Sequence, residues 1–372
     1  MLWGVIPAEP PEIAGSDGAL AVGPGRRRWL GRLLGRGLLL AAGAAALYLL
    51  APQIVAVFAT APQLSRLQAP WLVVMFALEA ASFAAAWELA RIAVPGLGWR
   101  VAATSQLAAN AASRALPGGP VVGGAVYFQM LRRSGIDPAG AAAALTANSL
   151  ISNMVLFALP AAGALSAAVA APVPRGLLPV VLAGLVLFVL TLGIGAVLVR
   201  FDGPLTLAGA VAEWVTRRLP RWLGGGRVVR REALLRTRND LVAAMGSRWW
   251  PAVGAATANR ILDYLVLVAA LRAIGAEPRI SLVLLAYGAA SVLGMIPITP
   301  GGLGFVEAGL TATLVLAGVG AGDALLATLV YRLFSFWLAL PAGLVAYVIY
   351  RWRLRDREPR PRGDVSAGSS AP

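Results

Sequence analysis

The chain has no cysteine and no histidine. Without thiols there is no disulfide framework, no thiolate nucleophile and no cysteine-built metal site. Without imidazole the commonest general base is missing too. Charge is scarce: 13% of residues are charged, against roughly 25% in an ordinary soluble domain. The cations are of one kind. Lysine is absent, so the 32 basic residues that give a formal charge of +15 are all arginine. Beside abundant alanine and glycine, that inventory reads as a GC-rich coding bias. No basic-aromatic groove or zinc pattern points to nucleic acid, and none is expected as a partner. Covalent catalysis and metal hydrolysis lack their usual residues; no enzyme activity, metal or cofactor is expected.

What the chain does have is apolar length. Hydrophobic residues make up 59% of it. A membrane span needs about 20 consecutive apolar residues rising ~1.5 Å each. "GLLLAAGAAALYLLAPQIVAVF" (37–58), "GLLPVVLAGLVLFVLTLGIGAVLV" (176–199) and "ALLATLVYRLFSFWLALPAGLVAYVIY" (324–350) all reach that length. The expected fold class is an all-α polytopic membrane protein. Full spans are expected at 37–59, 70–94, 138–170, 176–200, 249–273 and 323–350. Two pairs of shorter segments, 99–115 with 118–133 and 280–297 with 301–317, are each interrupted by Pro-Gly-Gly and read as re-entrant hairpins. Residues 1–25, rich in proline and glycine, read as disordered. Residues 26–350 read as one transmembrane domain, and 351–372 as a basic disordered tail. The first apolar stretch is too long and too far from the start for a cleaved signal, and reads as an anchor.

Arginine sets the expected topology. It concentrates in 26–36, in 217–240 and in 351–362. Positive loops face the cytoplasm, so both termini and the basic loop 201–248 are expected inside. Trp214, Trp222, Trp249 and Trp250 read as interfacial anchors around that loop.

The two Pro-Gly-Gly triplets suggest duplication. A shift of 183 positions carries Pro117 onto Pro300, Pro95 onto Pro278, Gly135 onto Gly318, Leu150 onto Leu333 and Ser152 onto Ser335. "LPAAG" (159–163) and "LPAG" (340–343) match after a two-residue slip. Repeat units at 69–171 and 252–350, joined by the span 176–200, would lie in opposite orientations. The first hairpin would enter from the cytoplasm and the second from outside. Such opposed broken helices can present helix N-termini to an anion near the bilayer midplane. Pro117, Gly118, Gly119, Pro300, Gly301, Gly302 and Gly304 are therefore candidate substrate-contacting backbone. An ordinary connecting loop at the bilayer surface is the competing reading.

Charges within the spans are the other signal. Arg332 lies nine residues past Asp323, read as the N-cap of its helix, hence ~13 Å into a hydrocarbon layer of ~30 Å. Asp263 lies ~18 Å beyond Pro251, with Asn259 one turn before it, and Glu79 lies ~12 Å into its own span. A centrally placed Arg or Asp costs at least ~2.5 kcal/mol on insertion scales, so such residues pair or face a polar cavity. Arg332 with Asp263 or Glu307 could be a structural ion pair or a substrate site. Glu307 could cap its helix or line a cavity. Asn148, Ser149, Ser152 and Asn153 form a polar face that could equally be interhelical glue. Asp137-Pro138 reads as an N-cap followed by proline at N1. Arg114 could snorkel or line the first hairpin.

"NRILDYLVLVAALRAIG" (259–275), "PITPGGLGFVEAGL" (297–310) and "YRLFSFWLALPAG" (331–343) together resemble the lysylphosphatidylglycerol synthase transmembrane-region family. That family is the flippase-like membrane domain also found in the multiple peptide resistance factor. The resemblance covers roughly 37–350 and is strongest over 255–345. It implies a multi-pass inner-membrane protein that moves phospholipids between leaflets. The positions it carries over are Asn259, Asp263, Pro300, Gly301, Gly302, Gly304, Glu307 and Arg332. Many members have a Glu-Arg pair and a following Asp on the first-repeat helix, where this chain has Asn148-Ser149 and no Asp. Past Arg351 only an Arg/Pro tail follows, so lipid aminoacylation is not expected. The expected partners are membrane lipids with an anionic headgroup. The alternatives are a non-transporting scaffold of an envelope-synthesis complex and a lipid-modifying membrane enzyme.

Overall fold

Proline and glycine set the ends of the helices. In the computed structural model, residues 68–116, 119–170, 175–201, 203, 236, 239, 246–295 and 299–355 are described. The expected span 37–59, the segments 1–25 and 26–36, most of the loop 201–248 with Trp214 and Trp222, and the tail past 355 lie outside them. So do Pro117 and Gly118. Among the described residues all regular structure is helical.

In chain order the helices are α1 Ala69–Ala93, α2 Trp99–Ala115, α3 Gly119–Arg133, α4 Pro138–Ala170, α5 Leu178–Arg200, α6 Trp249–Ala273, α7 Ile280–Leu293, α8 Phe305–Leu316, α9 Ala321–Arg332 and α10 Ala339–Arg355. A 3₁₀ turn, Pro300–Gly302, precedes α8, and a π-helical turn, Leu333–Trp337, joins α9 to α10. Among the described residues, four helical stretches are long and apolar enough to cross a membrane: Ala69–Ala93, Gly140–Ser166, Gly246–Ala273 and Ala321–Tyr350. In α5 the apolar stretch, Val181–Val197, is shorter. The helices α2, α3, α7 and α8 have 17, 15, 14 and 12 residues, each below the roughly 20 needed for a crossing.

Local chemistry accounts for the boundaries. At the start of α4, Asp137 accepts the Gly140 amide at 2.9 Å and Pro138 needs no amide partner, as expected for an N-cap followed by proline. Asp323 is different. The N-cap of α9 is Gly320, and Asp323 sits inside the first turn, where its charge still complements the helix dipole. Three of the described helix ends share one device: α3 closes with the Ile136 amide on the Leu131 carbonyl (3.2 Å), α6 with the Ala276 amide on the Leu271 carbonyl (3.0 Å), and α8 with the Val319 amide on the Leu314 carbonyl (3.0 Å). The residue just before each donor is a glycine of positive φ, Gly135 (97°), Gly275 (80°) and Gly318 (94°), the left-handed C′ residue of a Schellman cap. Leu131, Leu271 and Leu314 are all fully buried. The caps of α3 and α8 are related by the same 183-residue shift.

The packing is reciprocal. Helix α2 lies along α10, and α7 lies along α4, while α1 and α6 pack on each other. Each reciprocal contact is close. A Cβ on Gly163 of α4 would stand 2.8 Å from the Leu285 amide nitrogen of α7, and one on Gly343 of α10 would overlap the Leu107 carbonyl and Ala111 of α2. These are the glycines of "LPAAG" and "LPAG". At the α1–α6 crossing the Ser82 hydroxyl donates to the Asn259 carbonyl at 3.0 Å, and the Asn259 amide group returns bonds of 2.9 Å to the Ser82 carbonyl and hydroxyl.

Candidate functional site

The turn before α8 exists because three glycines take positive φ: Gly301 at 62°, Gly302 at 70° and Gly304 at 80°. Gly301 also faces a wall, since a Cβ there would overlap the Phe336 ring and come within 3.1 Å of the Arg114 carbonyl. Only glycine meets both conditions. Glu307 closes the turn. One of its oxygens, Oε2, accepts the Gly304 amide at 2.7 Å, satisfying a donor at the helix start. The other, Oε1, accepts Nε of Arg332 at 2.6 Å. Capping and ion pairing, which the sequence left as alternatives, are both performed by this one carboxylate.

Arg332 is buried and fully engaged. Its guanidinium also donates to the Gly301 carbonyl at 3.2 Å and lies 4.3 Å from the centre of the Phe336 ring. This places it near the α9 end facing the π-turn, with its charge opposed at contact distance by Glu307.

The π-turn has a covalent cause. Leu338 donates to Leu333, five residues back, at 3.0 Å. Pro341, three residues further, has no amide hydrogen for the carbonyl that would precede it in a regular ladder. One carbonyl beside Phe336 thus lacks its helical donor. Arg114, in the last turn of α2, fills the gap: its Nη1 donates to the carbonyls of Ser335 and Phe336, the latter at 3.3 Å. The Arg114 guanidinium lies 5.5 Å from the Phe336 ring centre. Two arginines from different halves of the chain thus flank a single aromatic ring.

A carboxylate layer adjoins them. Oδ2 of Asp263 on α6 accepts the Tyr287 hydroxyl of α7 at 2.5 Å and the Tyr331 hydroxyl of α9 at 2.9 Å. Glu79 of α1, 4% exposed, adjoins this layer. Its Oε2 has no hydrogen-bond partner among the described residues. Arg260, almost one turn before Asp263, faces the Tyr287 hydroxyl. Tyr287 packs tilted against Tyr264 (5.7 Å) and edge-on against Tyr331 (6.4 Å), lining the apolar side of this layer.

The structure therefore brings Asp263, Glu307, Arg332, Gly301, Gly302 and Gly304 into one neighbourhood, with Pro300 opening its 3₁₀ turn. Asn259 is spent on Ser82 at the helix crossing. Asn148 is half-buried and Ser149 exposed on α4, and neither bonds to the charged groups among the described residues. Gly119 begins α3 with φ 48°. Glu79 and Arg114 belong to the site although neither is among the substrate contacts expected from the sequence. An intramembrane charge is their only sequence signal.

A stretch of 57 residues is 42% identical to a UPF0104 membrane protein of Methanothermobacter thermautotrophicus, covering 15% of this chain and 17% of that protein. Residues 33–343 match the lysylphosphatidylglycerol synthase TM region family. Since that match takes in most of the chain, including every charged group of the site, the protein is an integral membrane protein belonging to the lysylphosphatidylglycerol synthase TM region family.

Proposed function

We propose that the protein moves an anionic glycerophospholipid or polyprenyl lipid between the leaflets of the cytoplasmic membrane, without altering it chemically. The observation that carries this reading is the buried cluster itself: Arg114, Arg332, Glu79, Asp263 and Glu307 gathered between helices whose outer faces are apolar. Charge at that depth is costly and is retained where it serves a path for a polar group. Acyl chains would stay in lipid while the headgroup crosses at the cluster.

The architecture proposed with it is a duplicated, inverted pair of units. Supporting it are the matched glycine caps after Leu131 and Leu314, the reciprocal α2–α10 and α7–α4 contacts, and the sub-crossing length of the four hairpin helices. In this reading α2–α3 enters from the cytoplasmic face and α7–α8 from the opposite one, with both chain termini cytoplasmic by the arginine distribution. Arg332 and Glu307 hold the second glycine turn at the cluster, and Asp263 orients Tyr287 and Tyr331 on its far side.

The test is leaflet exchange of a fluorescent anionic phospholipid in proteoliposomes, using wild type, Arg332→Ala, Glu307→Gln and protein-free vesicles. Faster exchange with wild type, reduced in both variants, supports the reading. Wild-type exchange no faster than that of protein-free vesicles overturns it. A protein that only scaffolds its partners would give that second result.

A further inference from the structure

We propose that Arg114, rather than Arg332, receives the phosphate of the lipid headgroup. This rests on the transport reading above and assigns the binding step within it.

The two arginines differ in how their charge is met. Arg332 is buried and bonded directly to a carboxylate, so an incoming phosphate would have to displace Glu307 and with it the Gly304 cap. Arg114 is half-buried. Its hydrogen bonds go to two backbone carbonyls, which carry partial charge alone. Its Nε and second terminal nitrogen have no partner among the described residues, and no carboxylate lies within ion-pair distance of it there. A desolvated guanidinium without a contacting anion is strongly unfavourable. A phosphate mono- or diester supplies that anion in bidentate geometry, which arginine suits better than any other side chain.

Glu79 provides the second observation. Its Oε2 is buried and unpartnered among the described residues, and Asp263 is already occupied by two tyrosine hydroxyls. The neighbouring carboxylates thus leave Arg114 without a contacting anion, while the Ser335 and Phe336 carbonyls of the π-turn hold its guanidinium in position. A phosphate reaching Arg114 supplies that anion.

The experiment measures binding of three probes to the purified full-length protein in neutral detergent: dihexanoyl phosphatidylglycerol, dihexanoyl glycerol and inorganic phosphate. Arg114→Gln should weaken phosphatidylglycerol binding about tenfold or more, from loss of charge-assisted hydrogen bonds. Arg114→Lys should restore part of it. Dihexanoyl glycerol should bind equally to all variants. Unchanged phosphatidylglycerol binding in Arg114→Gln overturns the proposal. Equal weakening of both lipids by Arg114→Gln would show a structural role and also overturn it. Inorganic phosphate bound as tightly as the lipid, with the same variant dependence, would assign the site to a free anion and overturn the headgroup assignment. If Arg114→Gln does not fold, Arg114→Lys decides: phosphatidylglycerol bound as tightly as by wild type overturns the proposal, because lysine lacks the bidentate fork. Exchange without Arg114-dependent binding sinks this proposal and leaves the transport reading intact. Arg114-dependent binding without exchange does the reverse.

Discussion

Nε of Arg332 lies 2.6 Å from Oε1 of Glu307, and the second oxygen of that carboxylate holds the Gly304 amide at 2.7 Å. One side chain therefore both starts α8 and ties it to α9. Because the pair is buried, removing one member leaves the other uncompensated. Arg332→Met or Glu307→Met alone should lower stability by about 3–5 kcal/mol, whereas the double variant should fall well short of the sum. Denaturation in detergent, run as a double-mutant cycle, checks this; additive losses would mean the two groups do not share their energy.

The close contacts at Gly163 and Gly343 yield a paired prediction. Gly163→Val should push α4 from α7, and Gly343→Val should push α10 from α2, each by steric overlap with backbone atoms. Losses of about 1–3 kcal/mol are expected for both. Thermal unfolding that is sensitive to one substitution and indifferent to the other would show that the two interfaces are not equivalent.

Gly135 and Gly318 form a second matched pair. Alanine at either must adopt a left-handed conformation, costing about 1–2 kcal/mol. A Cβ at either position would meet nothing within 4 Å, so the cost is conformational and not steric. Asparagine, which tolerates that region, should recover part of the loss in the same unfolding assay.

Asn259 is a candidate for substrate contact on sequence grounds, yet its bonds run to Ser82. Asn259→Ala should cost stability on the order of 0.6 kcal/mol per lost interhelical hydrogen bond. Leaflet exchange per folded molecule should stay near wild type. A collapse of exchange at full stability would return Asn259 to the substrate path.

Much of the fold is readable in the chain because glycine and proline punctuate it. The spans seen as α1, α4 and α6 fall within two residues of their expected limits. Gly135, Gly318, Pro138 and the glycines of the second turn announce their backbone conformations by residue type. Glu307 and Arg332 are recognisable as out of place in apolar surroundings. The role of Arg114 is not legible in the same way. Its partners are backbone carbonyls on an element more than two hundred positions away, exposed by a π-turn that no residue pattern announces. Ser82 with Asn259 escapes for a related reason. In helices that are apolar on every side, no periodic stripe says which face meets a neighbour, so the crossing that joins them is visible only in three dimensions.

The most direct measurement uses the cysteine-free background. Single cysteines at Pro120 and Ala308, both exposed beside the two glycine turns, are labelled with a membrane-impermeant maleimide in right-side-out and inverted vesicles. Glu277→Cys, whose side chain is 82% exposed, serves as the surface control. If the two glycine turns enter from opposite sides, position 120 reacts from the cytoplasmic face and position 308 from the other, both more slowly than the control. Labelling of both from one face, or both at the control rate, would contradict the inverted arrangement.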